Sequence, residues 1–151
     1  MPHYKWAQIK EEVYSPQRSQ SRAKLIASKR MLLLRLLHRE DRGDGYAGAK
    51  PHSHPEEQIF IALKGKMRIR VGDEWFTMQE GDVVVVPENT EHDEICEGEF
   101  LWLTVKHRIP GHSQDDSWAP GAEEDWKRAK GILDEMDQKY QEKAPGSGIW
   151  I

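Results

Sequence analysis

The histidines near the middle of the chain constrain its fold more than any other feature. His52 and His54 are followed by Gln58, and a third histidine, His92, comes at the end of a second apolar segment. Successive side chains of a β-strand point to opposite faces, so His52, His54 and Gln58 share one parity and are expected on one face. Three neutral imidazoles and an amide oxygen are suitable ligands for a divalent transition metal. The sequence therefore predicts a buried metal site inside a β-barrel.

Glycine and proline residues at fixed distances from these histidines support the same interpretation. Six residues separate Gln58 from Gly65, five separate Gly81 from Pro87, and His92 is the fifth residue after that proline. A His-x-His pair alone arises readily by chance, whereas the pair together with these turn residues does not. We therefore favour a metal site over the alternative, a set of polar barrel histidines that bind no ion.

Both segments resemble the motifs of the cupin family. The first, His52-x-His54-x-x-x-Gln58 followed by Gly65, is similar to the first cupin motif, with Gln58 at the position that usually holds glutamate. The second runs from Gly81 through Pro87 to His92 and is similar to the second motif. It departs from that motif at two positions, where Asn89 replaces the usual glycine and Cys96 the usual asparagine. The resemblance spans roughly residues 30–110 and implies an antiparallel barrel with the metal near one mouth.

The predicted fold class is all-β: a cupin-type antiparallel β-barrel (double-stranded β-helix or jelly roll) with a C-terminal helix. We expect an N-terminal arm over residues 1–30, the barrel core over 31–110, and a loop and helix over 111–151. The helix is predicted from apolar residues at helical spacing between Trp126 and Tyr140. The continuous β-branched run 83–86 predicts a strand that is buried on both faces. The other predicted strands are residues 31–37, 58–63, 66–71, 75–78 and 100–107.

Composition narrows the classes of partner. The net charge of −4 argues against nucleic acid. A single cysteine suits a reducing compartment, and neither an apolar run long enough to span a membrane nor a signal peptide is evident, so the expected location is the cytoplasm. The resemblance implies a homodimer, and the expected ligand is a small-molecule substrate.

The fourth ligand has rivals in the two glutamates beside it. Glu57 is charged, but strand parity turns it away from the histidines, and Glu56 becomes a candidate only if Pro55 disturbs the alternation. We therefore predict His52, His54, Gln58 and His92 as the ligands of one divalent ion, which is Fe, Mn, Ni, Co, Cu or Zn. Four neutral ligands leave the full charge on the ion, which favours an anionic oxygen donor as substrate.

Two residues are candidates for catalysis. Arg35, on a strand that precedes the site, either pairs with a carboxylate at the surface or meets a substrate carboxylate. His107 follows the last strand, in a cluster with Lys106, Arg108 and His112 that a solvated loop would also explain; it is the member we would assign as general base or as support for a ligand.

The leading functional hypothesis is a metal-dependent enzyme that acts on a small oxygenated, anionic metabolite by Lewis-acid chemistry, as an isomerase or lyase. The segment from His52 to Gln58 resembles small cupins of pectin and alginate breakdown that act on unsaturated uronates, and its glutamine resembles that of manganese-dependent hydroxynitrile lyases of the cupin type. One alternative is an Fe(II)-dependent dioxygenase. The other is a cupin that binds metal or ligand without catalysis.

Overall fold

In the part of the chain that the structure describes, nine β-strands in two antiparallel sheets make up the barrel. The structure is a computed structural model that describes residues 3–13, 19–28, 30–39 and 47–107; the predicted C-terminal loop and helix lie outside these residues. The strands are β1 (Arg22–Ala27), β2 (Met31–His38), β3 (Gly48–His52), β4 (Gln58–Lys64), β5 (Lys66–Val71), β6 (Glu74–Gln79), β7 (Val83–Val86), β8 (His92–Cys96) and β9 (Phe100–His107). The predicted all-β fold is therefore confirmed for the described residues.

The two sheets pack face to face with the core between them. One sheet has the order β1-β2-β9-β4-β7 and the other β3-β8-β5-β6. Directly opposed residues in an antiparallel pair lie on the same face, so the register assigns each strand's inner positions. The core cluster is formed by Phe60, Ala62, Met67, Ile69, Met78, Val86, Cys96, Phe100 and Trp102. Among the described residues, no helix has the length and apolar content needed to cross a membrane.

Strand β5 shows the alternation that its sequence predicts. Met67 and Ile69 are completely buried, whereas Arg68 is exposed on the opposite face. Arg70 shares that outer face and donates from Nε to Asp93 Oδ1 at 2.6 Å and from Nη2 to Glu91 Oε1 at 2.7 Å. This arginine therefore ties β5 to the start of β8, where the third histidine of the motif lies.

Strand β7 corrects one expectation. Val83 and Val85 expose 57% and 50% of their surface, so the strand is buried on one face only and the predicted burial of both faces is wrong. Both residues lie on the outer face of the sheet, away from the core between the two sheets, and β7 is an edge strand that pairs with β4 alone. Continuous β-branched residues are compatible with a central or an edge strand, and the pairing that decides between them is not local.

Candidate metal centre

Three imidazoles meet at one mouth of the barrel. One ring nitrogen from each of His52, His54 and His92, the histidine triad, lies within 4.8 Å of the others. The ring centroids of His52 and His92 are 4.2 Å apart, and those of His54 and His92 are 4.9 Å apart. His92 and His54 are buried while His52 is half-buried, so the cluster opens to solvent on the His52 side. Of the histidine, cysteine and carboxylate side chains in the described residues, these three histidines form the group that could hold a metal ion.

The strands bring these residues together from both sheets. His52 ends β3 and lies directly opposite His92, which begins β8, in the four-stranded sheet. His54 lies in the loop after β3, and Gln58 begins β4 in the five-stranded sheet. The three rings lie together and Gln58 lies beside His54, but the strand parity from which we expected this is not the cause, because His52 and Gln58 are not on one strand. The loop of residues 53–57 carries the chain from one sheet to the other, so strand parity does not link them.

Each ring of the triad is held by a backbone carbonyl two residues away. Nδ1 of His52 lies 2.6 Å from the Lys50 oxygen, Nδ1 of His54 lies 2.9 Å from the Glu56 oxygen, and Nδ1 of His92 lies 2.9 Å from the Thr90 oxygen. A carbonyl only accepts, so Nδ1–H donates in each case, and a neutral ring then presents its Nε2 lone pair. Fixing the tautomer in this way is what metal-binding histidines require.

Gln58 completes the donor set. Its Oε1 atom lies 2.8 Å from Nε2 of His54, and both side chains are buried. Because Nδ1 of His54 holds the proton of the neutral ring, Nε2 and Oε1 are two acceptors that face each other. Two ligands bound at about 2.1 Å and at right angles on one ion are about 3 Å apart, so the observed separation fits neighbouring coordination positions. The residues present therefore fit a metal ion.

Electrostatics keep His54 neutral. Burial, then the positive charge of Lys106 and the neighbouring His92 and His52, lower the pKa of His54 far below its usual value of 6.5, although the hydrogen bond to the Glu56 carbonyl opposes this shift. A neutral imidazole is the form that binds metal, so the environment favours ligation at ordinary pH.

The neighbouring glutamates occupy other positions. Glu56 is buried, and its Oε2 lies 3.5 Å from Nδ1 of His54, on the side of the ring away from Nε2. A carboxylate in that position supports a ligand ring instead of binding the ion. Glu57 is exposed. The geometry of the loop thus favours Gln58 over both rivals.

Arg35 and His107 are not brought to the triad. Arg35 lies opposite Lys24 and Leu103, with parity opposite to the core residue Leu34, and therefore on the outer face of its sheet. His107 likewise has the parity of that outer face. Its Nδ1 accepts a hydrogen bond from the backbone N–H of Glu57 at 3.1 Å, which supports the loop that carries His54 from outside. Their catalytic roles stay predictions.

Lys106 is a cation that faces the interior, which the sequence did not predict. Lys106 lies directly opposite Gln58 in the pairing of β4 with β9, so it faces the interior beside the triad. Its parity is that of Phe100 and Trp102, which are buried in the core. That parity was available from the sequence, but the alternate positions, Leu101 among them, are also apolar and left the inner face undecided.

Comparisons with known proteins agree with this architecture. Residues 43–106 match the family described as Cupin domain. No curated protein sequence matches the chain significantly. The polyketide cyclase RemF from Streptomyces resistomycificus is 16% identical, with a TM-score of 0.63 over 80% of this chain and 88% of its own.

Two further solved structures share the fold. An RmlC-like cupin from Shewanella frigidimarina is 13% identical, with a TM-score of 0.61 over 74% of this chain and 95% of its own. KdgF from Halomonas sp. is 18% identical, with a TM-score of 0.61 over 73% of this chain and 96% of its own. The segment that carries the histidine triad therefore matches the model of a cupin domain, and the barrel shares its fold with these solved structures.

Proposed function

We propose that this chain is a metal-dependent cupin enzyme that acts on a small oxygenated anion, such as a uronate-type sugar acid, as an isomerase or lyase. The observation that carries the proposal is the shared orientation of the triad: three Nδ1–H groups donate to backbone carbonyls, which leaves each ring its Nε2 lone pair, and one nitrogen of each ring lies within 4.8 Å of the others. Gln58 Oε1 supplies the fourth donor. Fe, Mn, Ni, Co, Cu and Zn all suit such a set.

The donor set favours Lewis-acid chemistry over oxidation. When bound, the ion would polarise a carbonyl or hydroxyl oxygen of the substrate and lower the pKa of the adjacent proton. His52, His54, His92 and Gln58 are neutral ligands, so they leave the charge of the ion available to an anionic substrate and do not stabilise a higher oxidation state. The half-buried His52 marks the side from which substrate enters, while the buried His54 and His92 exclude water from the inner side.

Metal content and turnover test the proposal together. The full chain, purified without added metal and then loaded with each candidate ion, is analysed by mass spectrometry of its metal content. We expect one ion per chain in the wild type, loss of binding in His92→Ala, and weaker binding in Gln58→Ala. His38→Ala is the matched control. It also removes a buried imidazole, but His38 lies opposite Phe100, at the other end of β9 from Lys106 and the triad. Equal metal content in His92→Ala and the wild type would contradict the site.

Activity distinguishes the two enzyme classes. The loaded protein is assayed by NMR against sugar acids and hydroxy acids, in air and without oxygen. Turnover that persists without oxygen supports isomerisation or elimination, because neither reaction consumes an oxidant. Turnover that requires oxygen would replace the proposal with the dioxygenase alternative, and metal binding without turnover of any substrate would leave a binding protein.

A further inference from the structure

A row of hydrogen-bond donors lines the interior beside the histidine triad. On β9, Trp102, Thr104 and Lys106 occupy alternate positions and therefore share one face. The pairing with β4 places Lys106 opposite Gln58, and Thr104 opposite Phe60. This β9 donor row thus begins at the level of the predicted fourth ligand and runs inward.

Two members of the row are buried without a hydrogen-bond acceptor. Thr104 and Trp102 are each 2% exposed, and neither Oγ1 of Thr104 nor Nε1 of Trp102 has a hydrogen-bond partner among the residues that the structure describes. A buried polar group that lacks a partner lowers stability, so such groups are rare unless a ligand or water completes them. Thr104 lies opposite Phe60 in register, and the Phe60 ring centroid is 6.3 Å from that of His92, so one residue separates Thr104 from the triad.

Lys106 adds positive charge at the outer end of the row. Its side chain shares the inner face of β9 with Thr104 and lies directly opposite Gln58, which contacts His54. The described residues also place two buried carboxylates near this interior, Glu56 behind the His54 ring and Glu94 two positions after His92 on the inner face of β8. The interior is therefore cationic on the β9 side and acidic on the β8 side, so an anion bound beside the triad is favoured next to Lys106.

We infer that Lys106 and Thr104 form a carboxylate subsite and that the substrate is a small 2-hydroxy or 2-oxo acid, or a sugar acid with the same grouping. The Lys106 ammonium and the Thr104 hydroxyl donate to the carboxylate, while a neighbouring oxygen of the substrate faces Gln58 and the triad. The position of the second substrate oxygen rests on the proposed function, because that oxygen faces the metal ligands. The contacts to the carboxylate do not, because Lys106 and Thr104 are both on β9.

Binding of matched probes tests the subsite without measuring turnover. Lactate and lactamide differ only in the carboxylate, and each is titrated calorimetrically into metal-loaded and metal-free protein. We expect the wild type to prefer lactate, Lys106→Met to weaken lactate binding about tenfold or more while leaving lactamide within about twofold, and Thr104→Val to reduce the preference by a smaller factor. Lys64→Met is the control, because it removes an equal charge from an exposed position on β4.

The outcomes separate this inference from the proposed function. Wild-type protein that fails to prefer lactate, or variants that lose thermal stability but keep the preference, would overturn the carboxylate subsite, since a purely structural lysine changes only stability. Metal content is measured for each variant, and we expect Lys106→Met to retain it. If the wild type binds no metal and yet its metal-free form binds lactate in a Lys106-dependent manner, the proposed function fails and the subsite stands.

Discussion

Gly65 shows how one backbone position can require glycine for two separate reasons. Its φ angle is +90°, in the region that L side chains rarely adopt, and an added Cβ would lie 2.3 Å from the backbone oxygen of Glu99. Gly81 has the same φ of +90°, but an added Cβ there would meet nothing within 4 Å. A comparison of the two glycines therefore separates backbone strain, which a side chain would cause at both positions, from steric overlap, which it would cause only at Gly65.

The free energy of unfolding should distinguish these two positions. We expect Gly81→Ala to lower it by about 1–2 kcal/mol, the cost of the left-handed conformation. Gly65→Ala should lower it by at least about 3 kcal/mol, because the backbone must also move away from Glu99. Urea denaturation of both variants measures the difference, and equal losses would contradict the steric explanation.

His54 makes the stability of the metal-free protein dependent on pH. Its pKa is lowered in the folded protein mainly by burial, whereas in the unfolded chain it returns to about 6.5. Below pH 6.5 the unfolded chain therefore binds a proton that the folded protein does not, and the free energy of unfolding falls as the pH falls. Between pH 7.5 and 5.5 this contribution amounts to about 1.4 kcal/mol.

Urea denaturation of metal-free wild type and His54→Gln at both pH values checks the contribution of this histidine. The wild type should lose more stability on acidification than the variant, by about the amount given above. An equal loss in both proteins, or a gain in wild-type stability at pH 5.5, would show that His54 is not held neutral by burial.

Among the structural elements, the turn between β7 and β8 supports the triad from the second motif. Asn89 has a φ angle of +56°, and its N–H donates to the backbone oxygen of His54 at 2.9 Å. Asparagine tolerates this left-handed conformation better than most residues and therefore replaces the glycine that is usual at this position. The turn that leads to His92 is thereby fixed to the loop that carries His54.

A substitution of Asn89 that lowers the free energy of unfolding should also weaken metal binding. We expect Asn89→Gly to keep wild-type stability within about 0.5 kcal/mol, since glycine retains both the φ angle and the N–H. Asn89→Val should lower the free energy of unfolding by about 1–2 kcal/mol, because a β-branched residue is strained there. Urea denaturation and metal titration measure both effects, and a stable Asn89→Val variant would refute the role of the φ angle.

The strands differ in how far their sequences determine their placement. Lys66–Val71 alternates charged and apolar residues, so both its limits and its buried face follow from the pattern. In β9 both faces carry apolar residues, and only the pairing with β4 shows that Lys106 faces inward while His107 faces outward. The spacing in the sequence predicts the four ligands. It does not predict the backbone carbonyls that orient the rings, because their positions depend on how the loops fold.

At the scale of the whole molecule, the outer face of the five-stranded sheet is apolar at its β4–β7 end. Val83 and Val85 are exposed on β7, and their neighbours in register on β4, Ile61 and Ile59, are only partly buried. Exposed apolar surface of this kind marks a site of association. Homodimer formation, which the sequence predicts by resemblance, stays a prediction, and we propose this face as its interface.

Light scattering during size-exclusion chromatography tests the assembly. We expect the wild type to be a dimer and Val85→Asp to shift it to a monomer with at least about a tenfold weaker association, because the charge would be buried on pairing. Trp75→Ser, on the other sheet, is the control and should leave the dimer intact. A monomeric wild type would refute the prediction, and a dimeric Val85→Asp would exclude this face.

The three backbone carbonyls that hold the histidine rings affect how fast the protein binds and releases a metal ion. Since Lys50, Glu56 and Thr90 orient the rings by hydrogen bonds within the chain, the ordering entropy of the ligands is lost during folding and not at the moment of binding. Capture of an ion then requires little rearrangement, whereas release requires one of these hydrogen bonds to open so that a ring can turn away from the ion. We therefore expect slow exchange of bound metal, with a rate that follows local unfolding of the mouth.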